Sequence, residues 1–454
     1  MARKKSGAGR QLRFELPVSA VLPRLATVDH GLRNLVARGG HDGAYTMAVT
    51  LLDTPDHRLL RSGVRLAHRV VDGQGDWYLA APGWAPDLPE RRILELDVEG
   101  DLPAEFAELI TPFRRTAAIG PVAALDAERR EFWLRSGDGR TVGTLIDERV
   151  TVRRGGLTVS RYAEVTVTDD GLDQAQRDWI TAQLVAAGAT PTEEFPRLEL
   201  RLGAPATGRT DFPDGDLAEP SFGGFVAAVL ARRLQAMVRG HLAGPAATSK
   251  LLTQTRRLRR ELQALTPVLE PRWAEDLLDD LAWLIGAPTD KPVDSDDRVL
   301  RGDRYLMVLE ALVSAIRLPR VAETAAMPTT EVTQSLVDEA LREVRARASA
   351  IVPTSPIATW QAARDAADQL LSVCQVTAPV LGRKVEKLGK RATRLRSRLD
   401  QCLDDRRVEL RHRAEVDPAS AFDLGRDYER ESMRVQQVHE EFVTDWPRLA
   451  RKLS

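Results

Sequence analysis

In the first half of the chain, apolar and polar residues alternate. "RFELPVS" opens one extended run, "EFWLRSGDGRTVGTLID" holds two around a Gly-Asp-Gly turn, and "VTVRRGGLTVSRYAEVTVTDDG" holds two more around Gly155-Gly156. A period near two, broken by short glycine turns, predicts antiparallel hairpins. A helix is expected from about Leu172 to Ala187, with Trp179, Ile180, Leu184 and Val185 on one apolar face. The period then disappears. "GAPATGRTDFPDGDLAEP", residues 203–220, is rich in Gly, Pro and Asp and reads as a linker.

After it every apolar repeat is helical. The segments are "FGGFVAAVLARRLQAMVRGHL", "WAEDLLDDLAWLIG", "YLMVLEALVSAI", "TQSLVDEALREVRARAS", "WQAARDAADQLLSVCQ" and the long "KVEKLGKRATRLRSRLDQCLDDRRVELRHRAE". Pro271, Pro319, Pro353, Pro379 and Pro418 are expected to break them. The expected fold is an α+β N-terminal domain, residues 1–205, a linker over 206–219, and an all-α helical bundle of two related halves over 220–454.

Composition narrows the chemistry. With 65 Lys and Arg against 66 Asp and Glu, the formal net charge is -1, so any polyanion site has to be a local patch. Cys374 and Cys402 have no metal or redox spacing, and two thiols in 454 residues suit a reducing cytoplasm. No apolar run is long enough to cross a bilayer, and the basic "MARKKSGAGRQ" is not followed by a hydrophobic stretch. There is no phosphate-binding glycine loop and no zinc spacing. Few aromatics interleave with the basic residues, which argues against a specific nucleic-acid partner.

Two stretches resemble known families. "DTPDHRLLRSGVRLAHR" resembles the second-strand signature of the triphosphate tunnel (CYTH) domain, matching at Asp53, Thr54, Pro55, Leu59, Gly63, Leu66 and Arg69. "DWYLAAP", "PVAALDAERREF", "GTLIDERVTV" and "SRYAEVTV" follow in family order. The resemblance implies a tunnel-like antiparallel β-barrel over roughly residues 10–205. Inward carboxylates would hold Mg²⁺ or Mn²⁺, and inward cations would hold a triphosphate. "TQTRRLRRELQAL", "DLAWLIGAPTD" and "ASAFDLGRDYERESMRVQ" resemble the conserved-histidine α-helical (CHAD) domain over about 220–450. That resemblance implies a basic helical surface for inorganic polyphosphate.

Both patterns are depleted. Gly9 and Gln11 stand where the tunnel family has glutamates, and Arg13 where it has lysine. Ala67, Ala80, Ala124 and Asp126 stand at basic positions, and Thr166 at an acidic one. The residual tunnel set is Arg13, Arg69, Arg129, Asp147 and Glu164. In the helical half Ser249 and Trp360 replace the motif histidines, Leu252 the first arginine, and Thr289 an arginine beside a retained Asp290. In the Trp360 helix Arg364 is kept, while Ala367, Asp368 and Leu370 replace the later basic residues.

Arg256, Arg257, Arg259 and Arg260 remain, and Arg383, Lys387, Lys390, Arg391, Arg394 and Arg398 recur three or four residues apart. On a helix that spacing makes a basic stripe. The expectation is a catalytically degenerate protein, a pseudoenzyme, with no resident cofactor. It would bind polyphosphate or another polyanion, or scaffold a protein partner. The alternative is a metal-dependent triphosphatase with a rearranged site, which would need at least three converging carboxylates.

Overall fold

The computed structural model describes residues 11–38, 44–95, 101–244, 248–286, 302–321, 323–404, 406–416 and 421–453. The chain divides into two compact units, Met1–Asp211 and Phe212–Ser454.

The first unit is built on one antiparallel sheet. Its strands are β1 (Gln11–Leu16), β2 (Val36–Ala37), β3 (Ala44–Asp53), β4 (Arg65–Val71), β5 (Gln74–Ala80), β6 (Arg92–Glu95), β7 (Gly120–Arg135), β8 (Thr141–Arg154), β9 (Leu157–Asp169) and β10 (Thr190–Thr192). The order is β10-β1-β9-β8-β7-β3-β4-β5-β6, with β2 beside the far end of β7. The hairpins expected at the Gly-Asp-Gly turn and at Gly155-Gly156 are the β7–β8 and β8–β9 turns. Gly155 and Gly156 both take positive φ, which an L side chain rarely adopts.

A tunnel-like antiparallel β-barrel was expected; the antiparallel sheet forms, and among the described residues it does not close. Among the described residues, neither β10 nor β6 has a second neighbour. Both edge strands are short, and one face is covered by other means. After three short helices, α1 (Arg58–Arg61), α2 (Ala104–Leu109) and α3 (Thr111–Arg114), the helix expected near 172–187 forms as α4 (Gln174–Ala186), started by an Asp173–Gln176 capping box. Its Ile180 and Leu184 pack with Phe14, Leu16, Leu145, Val165 and Val167 on one face of the sheet. Short α5 (Leu198–Leu202) serves the other face, where Leu202 joins Leu51, Ala67, Leu125, Val150 and Val152.

The described residues of the second unit form α6 (Phe222–Leu242), α7 (Thr248–Leu265), α8 (Pro271–Gly286), α9 (Asp303–Arg317), α10 (Thr329–Ser349), α11 (Ile357–Leu381), α12 (Arg383–Leu403), α13 (Arg407–Val416) and α14 (Ala421–Lys452), joined by loops. Pro379 does not break α11; it lies in the last turns, and the helix ends at Gly382, whose φ is 73°. The long basic segment is two helices, α12 and α13. Pro418, Thr289, Asp290 and Gly9 lie outside the described residues.

Candidate functional site

Strand register decides which charges meet. Tyr45, Arg129, Glu148, Glu164 and Glu15 are successive cross-strand partners from β3 through β7, β8 and β9 to β1. They form one row on the α5 face, because cross-strand partners share a face. Three neighbouring carboxylates would repel one another in isolation. Arg201 of α5 answers them, reaching Glu15 directly and Glu164 at 3.3 Å. Its guanidinium also lies 4.4 Å from the ring centre of Tyr162.

Burial raises the Glu148 carboxyl pKa above its ordinary value, and Arg129 opposes the shift. Burial also raises Glu164, against Arg201, while Glu148 and Glu15 add to the rise. Burial pushes the Tyr162 hydroxyl up to about 12.

The cations on this face are committed to protein partners. Arg69 holds Asp76 through two hydrogen bonds of 2.8 Å and lies 4.3 Å from the Tyr78 ring centre. Arg129 pairs with Glu131 at 3.0 Å. Arg13 donates to the Glu193 carbonyl at 2.6 Å and to Gln11 at 2.6 Å. Arg65 meets Glu199 at 3.5 Å, and the same face carries a buried apolar cluster that includes Ala123, Leu125, Ala127, Val150 and Val152.

Several sequence-level placements change. Asp147 faces the other way: the residue paired with Glu164 is Glu148, and a one-residue step along a strand reverses the face. Ala124 and Asp126 also lie on the α4 face, as the pairing of Arg129 with Glu148 requires. Glu15, Glu148, Asp76 and Arg201 had been passed over. Glu15 could have been found by stepping two residues from Arg13; Arg201 had no strand pattern to reveal it.

The Asp-Thr-Pro motif is a structural device. Asp53 is fully buried, and its carboxylate accepts from the backbone N–H of Thr54 at 2.6 Å, Leu59 at 2.9 Å and Leu60 at 2.9 Å. Thr54 Oγ1 accepts from Arg58 N at 3.0 Å and donates to Asp56 at 2.8 Å. The Asp-Thr-Pro run thus organises the turn into α1 (Arg58–Arg61).

The tunnel resemblance implies Mg²⁺ or Mn²⁺, and the residues present do not fit one. Glu15 and Glu164 already share a guanidinium. Among the described residues, no group of three or more His, Cys, Asp or Glu is arranged to hold a metal ion.

In the helical unit α7 and α12 both pack against α11. Arg256 and Arg260 on α7 are exposed, as are Arg383, Lys384, Lys387, Lys390 and Arg394 on α12. Other members of the basic set are occupied or partly covered. Arg257 meets Glu261 at 3.5 Å and Arg398 meets Asp445 at 3.4 Å, while Arg259 and Arg391 are half-buried. Trp360, at a position expected for histidine, is core: it stacks on His439 with ring centres 4.0 Å apart. Among the described residues, no helix is long and apolar enough to cross a membrane.

An open antiparallel sheet unit and an all-α unit define the class of protein. The CHAD domain family matches residues 294–412, which lie within the helical unit. Solved structures similar to the chain include a protein from Hippeastrum described as an adenylyl cyclase candidate with a dominant triphosphatase activity. It shows 10% identity over 43% of this chain and 98% of that one, with a TM-score of 0.26. A protein from Pyrococcus horikoshii shows 14% identity over 42% of this chain and 95% of that one, with a TM-score of 0.23. An adenylate cyclase candidate from Vibrio parahaemolyticus shows 12% identity over 44% of this chain and 100% of that one, with a TM-score of 0.21. No curated protein matches the chain.

Proposed function

We propose that this chain is a CYTH–CHAD type protein that binds inorganic polyphosphate, or a polyanion of the same charge density, through its helical unit, and that its sheet unit does not hydrolyse triphosphate. The observation that carries the binding reading is the run Arg383, Lys384, Lys387, Lys390 and Arg394 on α12. All five are exposed, and none has an ion-pair partner among the described residues. Those positions span about 16 Å of helix at 1.5 Å per residue. Binding by such a run is a matter of charge, so it weakens as salt rises.

The second half of the proposal rests on Arg201. A guanidinium between Glu15 and Glu164 supplies the positive charge that a divalent ion would otherwise bring. The cations that would cradle a triphosphate are held by Asp76 and Glu131.

The deciding experiment uses one preparation of the full chain. Phosphate release from inorganic triphosphate is followed with Mg²⁺ and with Mn²⁺, and polyphosphate binding is measured across a salt series. The expected result is no metal-dependent release together with salt-sensitive binding. Turnover would overturn the non-hydrolytic reading and make the carboxylate row a catalytic one. Absence of binding would leave a protein scaffold.

A further inference from the structure

Asp147 has no role in the proposed function, and its surroundings are unusual. It lies on the α4 face of β8 with only 2% of its surface exposed. One carboxylate oxygen meets Arg149 Nε at 3.4 Å; the other, Oδ1, is buried without a hydrogen-bond partner. An unpaired buried carboxylate oxygen is costly unless something supplies a donor. Arg149 supplies little, because its terminal nitrogens donate to the loop carbonyls of Val18 at 3.1 Å and Ala20 at 2.8 Å.

That same loop roofs a cavity of about 750 Å³, lined by residues 19–25 on one side and by Glu128, Arg130, Phe132, Asp147 and Arg149 of the sheet on the other. The volume is in the range of small-molecule sites. Its walls include Leu22, Pro23, Leu25 and Phe132. Glu128 and Arg130 pair with each other. Arg24 is exposed and has no partner among the described residues. The lining therefore offers a half-satisfied acid on the buried floor, Asp147 with Arg149 on one oxygen and nothing on the other, and an unpaired base, Arg24, on the exposed side, with an apolar wall between.

We propose that this cavity binds a small zwitterion with an apolar body, its ammonium group toward Asp147 and its acidic group toward Arg24. The ammonium would give the carboxylate the donor it lacks in a site shielded from water, where a charged hydrogen bond is strong. The Arg24 contact, being exposed, would add selectivity more than affinity. This inference is independent of the polyphosphate reading.

The test is calorimetric titration of the full chain with three probes of equal length: 6-aminohexanoate, hexylamine and hexanoate. Both amines should bind, 6-aminohexanoate more tightly, and hexanoate should not. Asp147→Asn should weaken both amines by about tenfold or more, as expected for loss of one partner of a buried charged pair. Arg24→Ala should bring 6-aminohexanoate down to the level of hexylamine. Leu22→Trp narrows the cavity at its apolar wall and leaves both charges in place, so it should weaken binding of both amines even if Asp147→Asn proves unstable. Thermal melting of each variant separates lost binding from lost fold. Hexanoate binding as tightly as 6-aminohexanoate, unchanged affinity in a folded Asp147→Asn, or no binding of either amine would each overturn the proposal.

Discussion

Single residues in the sheet unit show what a sequence signature does for the fold. Asp53 serves three backbone N–H groups at the turn into α1. Asp53→Ala should therefore cost about 2 kcal/mol in chemical denaturation, the sum of a lost cap and buried donors left unmet. Glu148 offers a test through pH. Its folded pKa is raised by burial, so its stabilising contribution is present below the unfolded carboxylate value and is lost as pH rises through the folded value. Glu148→Gln should melt higher than the parent at pH 7, and that advantage should shrink toward pH 4.5. Arg201 is the third case. Arg201→Ala leaves Glu15 and Glu164 without their shared cation, so melting at pH 7 should fall and Mn²⁺ affinity should rise above that of the parent. Equal Mn²⁺ affinity in the two proteins would remove Arg201 as the reason a metal is excluded.

Elements were legible wherever one periodicity ran unbroken. The alternation along β7, β8 and β9 and the glycines between them could be read directly, because a sheet with two distinct faces imposes a period of two. Helix ends were less legible. Pro379 lies inside α11 near its end, and Gly382 stops the helix, because a positive φ ends a helix more firmly than a proline in its last turns. The basic spacing on α12 was also plain, but spacing cannot say which charges are already neutralised. Lys387, Lys390 and Arg394 are exposed and unpaired among the described residues, whereas Arg398 is held by Asp445. Replacing Lys387, Lys390 and Arg394 together by alanine should weaken polyphosphate binding and flatten its salt dependence by about two units of log–log slope, at roughly 0.7 per lost phosphate contact. Arg257→Ala should change that slope much less, because Glu261 already neutralises Arg257. Filter binding across the salt series measures both.

At the scale of the whole molecule, a formal charge of -1 gives little long-range attraction for a polyanion. Binding should therefore depend on local runs of exposed cations, the α12 run foremost. Arg140→Ala and Arg342→Ala, each removing an exposed arginine paired with a nearby carboxylate, should leave polyphosphate affinity unchanged. The sequence by itself determined the division into a sheet unit and a helical unit, the runs of most of the long strands and helices, and the depletion of charged residues at the tunnel-motif positions. All three follow from local periodicity and residue type, which a linear chain carries openly. Only the tertiary structure decided that the sheet stays open and that Glu148, not Asp147, stands beside Glu164. Only it set Glu15 in the same row and brought Arg201 from a separate short helix to meet two of those carboxylates. Register and ion pairing join residues far apart in the chain, and a one-residue step along a strand reverses every side chain on it. That is why the candidate charges could be named from the sequence, while their partners could be found only in the fold.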